Sequence, residues 1–73
     1  MKLSKSTIEK IHIDGRANIY EAKKTTNRYG TWITVTYATR YFKDGECTAV
    51  STEKTTTIEG STQRDLINYF CNL

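Results

Sequence analysis

The chain has no proline, low-complexity tract, internal repeat or linker, so nothing divides its 73 residues into more than one domain, 1–73. Cysteine is scarce. Cys47 and Cys71 are too few for the disulfide framework of a small secreted domain, and free thiols in a reducing cytoplasm are expected. No apolar run approaches the roughly 18 residues that span a bilayer, so no membrane partner is expected. The opening Met1-Lys2-Leu3-Ser4-Lys5-Ser6 is charged but leads into no hydrophobic region. No secretory leader is therefore expected, and the cytoplasm (of the host, if viral) is the expected location.

Chemistry-bearing residues are equally thin. His12 is the only histidine, and a zinc site built from His12, Cys47 and Cys71 would lack the close ligand pair that zinc motifs show. The eight acids are scattered and no pair recommends itself for acid–base work. Gly15, Gly30, Gly45 and Gly60 stand singly at turn signals, so there is no phosphate loop or dinucleotide fingerprint. A domain this small also leaves little room for a substrate cleft. No catalytic residue, metal or cofactor is expected, and the chain reads as a non-enzymatic protein.

Large aliphatics are sparse too: Ile, Leu, Val and Phe make up 14 of 73 residues. Such a fraction marks disorder when net charge is high. Here the net charge is only +3, and five Tyr, one Trp and thirteen Thr favour a sheet. The expectation is a folded but thinly cored domain, of a kind that gains stability from a partner or from pairing as a homodimer.

What is present is alternation. Residues 31–42 and 47–57 alternate around Lys43-Asp44-Gly45-Glu46, and Asp-Gly between alternating runs marks a two-residue type I′ hairpin turn. A tight turn there predicts Thr39 opposite Val50, Tyr37 opposite Thr52 and Thr31 opposite Ile58. Ile33, Val35 and Tyr37 share one face; Trp32, Thr34, Thr36 and Arg40 share the other. The same register sets Lys54 opposite Val35 on the apolar face. Either a bulge shifts the strand near Glu53-Lys54, or Lys54 lies at the sheet edge with its head in water.

Residues 61–73 predict a short helix. Thr62 is the expected N-cap with Asp65 at N3, and Leu66, Phe70 and Leu73 share the face that covers the core. The first 26 residues admit two readings. Ser6-Thr7-Ile8-Glu9 fits a capping box that starts a helix. Ile11-His12-Ile13 instead alternates into Asp14-Gly15, which favours a hairpin of residues 7–13 and 17–25, with His12 exposed opposite the two isoleucines. The expected fold is α+β: a small antiparallel sheet of three or four strands in a meander, with one C-terminal helix packed on one face.

Charge is uneven, +4 over residues 1–30 and −1 over residues 31–73. Lys23, Lys24 and Arg28 lie near Tyr20, Tyr29 and Trp32 in sequence. A tryptophan on a polar sheet face beside Arg40 either marks a contact surface, because Trp, Tyr and Arg dominate interface hot spots, or folds over the sheet edge and packs under Tyr20 or Tyr29. The candidate partner-binding residues are therefore Trp32, Arg40, Tyr20, Tyr29, Lys23, Lys24 and Arg28.

Two functions compete. The order strand, Asp-Gly turn, strand, helix over residues 30–70 is similar in pattern to the arm-binding domains of phage integrases and to plant-type sheet readers. That likeness implies DNA or RNA bound on the open basic and aromatic face. However, residues 47–57 are nearly neutral, where a DNA-reading strand carries several arginines. The favoured reading is a phage or mobile-element accessory protein. It would inhibit or regulate a host protein or nucleoprotein complex, such as a defence system, by occluding its functional surface.

Overall fold

A computed structural model describes residues 1–72. The order is α1 (Lys5–Ile13), β1 (Ala17–Asn27), β2 (Gly30–Lys43), β3 (Glu46–Val50), β4 (Lys54–Glu59) and α2 (Gln63–Cys71). The fold is α+β. β2 is the central strand: β1 runs antiparallel along one edge, and β3 and then β4 run antiparallel along the other. Asp44 (φ 53) and Gly45 (φ 83) both take positive φ, the geometry of the type I′ turn that Asp-Gly predicts.

The register differs from the tight-turn expectation. Phe42 faces Cys47 as expected, but Arg40 faces Val50, so one residue is extra in β3. A break over residues 51–53 adds a second slip, and Tyr37 then meets Lys54 while Ile33 meets Ile58. Two single slips restore the parity of the faces. Lys54 therefore stays on the apolar side, two pairs beyond Val35, with its Nζ 3.4 Å from Thr39 Oγ1. Both sequence alternatives contribute: the strand is shifted, and the lysine head remains exposed.

The N-terminal hairpin is not formed; residues 5–13 are helical. Ser4, not Ser6, is the N-cap, and its hydroxyl accepts from the Thr7 N–H at 3.2 Å. The misreading has a physical cause. Ile8, Ile11 and Ile13 suit either period, yet the residues this helix buries are Thr7 and Ile11, one turn apart. Asp14-Gly15-Arg16 is consequently a helix-to-strand connection rather than a hairpin loop. A Cβ at Gly15 would lie 2.8 Å from Ile11 O and 2.9 Å from Phe70 Cβ, so only glycine lets α1, β1 and α2 meet there.

α2 follows the sequence expectation. Thr62 caps it, accepting from the Asp65 N–H, and the Asp65 carboxylate accepts in return from the Thr62 N–H at 2.9 Å and the Ser61 N–H at 2.7 Å. These backbone N–H groups, Ser61 first, together with the Thr62 hydroxyl, hold the Asp65 carboxyl below its ordinary pKa. Leu66 and Phe70 are buried; Leu73 lies outside the described residues. Both helices and the apolar side of the sheet share one core of Ile11, Ala17, Ala22, Ile33, Val35, Ile58, Leu66 and Phe70. Phe70 packs edge-on against Tyr37, with ring centroids 5.1 Å apart. Ser4 N–H also donates to Gln63 Oε1 at 2.7 Å, tying the start of α1 to the start of α2.

Candidate macromolecule-binding surface

The register and the alternation place Trp32, Thr34 and Thr36 of β2 on the side away from the core. Beside them are Thr25, Lys23 and Glu21 of β1, and Glu59, Thr57 and Thr55 of β4. β-Branched threonine on a solvated face combines strand propensity with a polar surface. Trp32 is half-buried there, between Thr25 and Glu59.

The candidate residues separate into two groups. Lys23 and Trp32 share the open face near the β1–β2 turn. At that turn Tyr29 is 78% exposed, with the Arg28 guanidinium 4.9 Å from its ring centre and hydrogen-bonded to its hydroxyl at 2.8 Å. Arg40 lies eight residues further along β2, roughly 26 Å away at ordinary strand rise. Tyr20 is exposed at the bulge where the β1–β2 register shifts between Ile19 and Glu21. Lys24 pairs with Ile33 and so belongs to the opposite side of the sheet. Seven residues chosen as one surface thus form two ends of a long sheet, with Lys24 behind it.

Arg40 has a structural engagement that sequence reasoning missed. Its Nη1 donates to the His12 carbonyl in the last turn of α1, a cationic side chain on an otherwise orphaned helix carbonyl. His12 is half-buried rather than exposed as expected, and its Nδ1 is hydrogen-bonded to Asn18 Oδ1 at 2.8 Å. Arg40 and Arg16 each place their guanidinium carbon 5.0 Å from the centre of Phe42. Arg16 does so from a left-handed backbone conformation, φ 50. Phe42 and Arg16 joined no candidate set because their contact links a turn to a strand far along the chain.

Beyond Arg40 the sheet narrows to a two-stranded ribbon, the end of β2 with β3. No helix packs beneath it, and every residue of β3 is exposed. Tyr41 (49%) and Val50 (48%) are large apolar side chains left open on it. Arg40 and Lys43 are balanced there by Asp44 and Glu46. Nothing in sequence alternation distinguishes a ribbon with bare faces from a strand pair over a core; only the reach of the helices does so.

Cys47 and Cys71 are both free thiols. Among the described residues, no group of three or more His, Cys, Asp or Glu is placed to hold a metal. Nor, among the described residues, is any helix long and apolar enough to cross a membrane. No protein-family model, no curated protein and no solved structure matches the chain.

Proposed function

We propose that this is a non-enzymatic binding protein that docks on another protein and covers its functional surface. The observation that carries the reading is incomplete cover: the shared core lies on one side of the sheet, only the last turn of α1 reaches Asn18 and Arg40 of the other side, and no helix packs on β3. Tyr41 and Val50 are thereby exposed on the ribbon, and Trp32 is left on the open face. Val50 pairs with Arg40 and so shares the side that carries Trp32, whereas Tyr41 opens on the other side, so a partner that clasps the ribbon meets an apolar group on each face. The balanced charge of the ribbon, and of Lys23 against Glu21 and Glu59 on the face, suits a protein surface better than a run of phosphates. In this reading the partner is a host protein or nucleoprotein complex, and inhibition is steric. Trp32 is the anchor at one end, and Tyr41 and Val50 are the anchors at the other.

The nucleic-acid alternative draws on the other end alone, where Lys23, Lys24 and Arg28 lie near Tyr29 and Trp32. One experiment separates the two. The tagged protein and its Trp32→Ala and Val50→Asp variants are used for stoichiometric capture from host lysate, followed by affinity measurement against the captured partner. Hot-spot losses of about 2 kcal/mol, roughly 30-fold in affinity, are expected in at least one variant with an unchanged melting temperature. Absence of a stoichiometric protein, together with duplex or single-strand binding that falls steeply with salt, would replace this reading with the nucleic-acid one.

A further inference from the structure

We infer that two copies of this chain pair through the free edge of β1, antiparallel about a two-fold axis at Ala22, to join their two four-stranded sheets into one of eight strands. This inference is independent of what the ribbon binds.

The edge is available and its hydrogen-bonding direction is readable. Arg40 N–H donates to Arg16 O, toward β1, whereas the carbonyls of Thr39 and Thr31 accept from Ser51 and Gly60 on the β3–β4 side. Even-numbered residues of β2 therefore bond toward β1. Their partners Glu21, Lys23 and Thr25 bond inward, and alternation turns the N–H and C=O groups of Ala22, Lys24 and Thr26 outward. Those groups form a free row on a strand of 11 residues. The opposite edge offers no comparable row, because it is broken between β3 and β4.

A two-fold pairing is self-complementary, so the choice of central residue decides every contact. Centred on Lys24, the ammonium groups of both copies would meet. Centred on Thr26, Lys24 would face the partner's Arg28. Centred on Ala22, Glu21 faces the partner's Lys23 and Lys23 faces the partner's Glu21, both on the open side of the sheet. Within one copy these side chains already form an exposed ion pair at 3.4 Å, which exchanges for the two intermolecular pairs at little cost. Lys24 then lies against the partner's Tyr20, an exposed ring at the bulge, where cation and ring attract. Edge lysines ordinarily discourage strand pairing. In this register each lysine meets an acid or an aromatic ring instead. On the helix side, Met1 and Ile8 are exposed, and with Leu3 and Ile19 they line a groove along the same edge. Apolar area next to a free ladder is what a second copy would cover.

The test is sedimentation equilibrium of the full chain across the micromolar range, beside Glu21→Lys, Lys23→Glu and the double exchange. The parent is expected to dimerise, and each single change to weaken the dimer at least about tenfold, because both symmetric pairs become repulsive. The double exchange restores it, since the complementarity is only inverted. Both positions are exposed, so at concentrations too low for the parent to pair the melting curves of the variants should match it. Amide exchange at Ala22 and Lys24 should slow as concentration rises. A parent that stays monomeric overturns the inference, as does a dimer indifferent to both single changes or one the double exchange fails to restore.

Discussion

Gly15 is the residue with least latitude. It combines the carbonyl of Ile11 and the Cβ of Phe70 within 3 Å of where a methyl group would sit. Gly15→Ala must therefore displace α1 from α2, and overpacking of this kind costs about 1–3 kcal/mol. A lowered melting temperature with an unchanged circular dichroism spectrum is the expected result. Asp65 carries the pH dependence of α2. Its carboxyl is held below the ordinary value of 3.8, so the stability it contributes is present above about pH 4 and is lost as pH falls through the lowered value. Melting temperature measured from neutral to strongly acidic pH should fall at the acid end. Asp65→Asn should flatten that part of the curve while lowering stability at neutral pH.

At the scale of elements, α1 is the correction that matters. A hairpin over residues 7–13 and 17–25 would have put Ile11 and Ile13 on the same face with similar burial. In the helix Ile11 is fully buried and Ile13 is 58% exposed. Ile11→Ala is expected to cost about 2–5 kcal/mol, and Ile13→Ala no more than about 0.5 kcal/mol. Equal losses in chemical denaturation would contradict the helix. α2, the Asp-Gly turn and the two faces of β2 were legible because each carries a local signal: a capping pair, a dipeptide that tolerates positive φ, and a clean alternation. The bulge in β3 and the break at 51–53 carry none, since threonine and serine suit strand and bulge alike.

For the molecule as a whole, stability is unevenly distributed. One core joins α1, α2 and three strands, whereas the ribbon beyond Arg40 relies on its own ladder and on Phe42 held by Arg16 and Arg40. Two-stranded ribbons are marginal alone. Backbone amides of β3 should therefore exchange orders of magnitude faster than those of residues 33–37, and should slow when a partner binds. Uniform protection across β2 and β3 in the free protein would mean that the ribbon is not the loose part. Such an element can adapt to a partner because its local unfolding costs little.

Composition and local pattern alone determined the fold class, the C-terminal helix, the central turn and the side of the sheet that carries Trp32. Those features depend on neighbours within a few residues: caps, turn dihedrals and period-two alternation. Tertiary structure decided the helical state of residues 5–13, the double register slip that carries Lys54 past Val35, and the division of the candidate residues into two ends. It also decided the tie from Arg40 to the end of α1 and how far the helices reach along β2. Each of these turns on contacts between residues far apart in sequence, where a weak local preference yields to the burial of Ile11, Leu66 and Phe70 in a shared core.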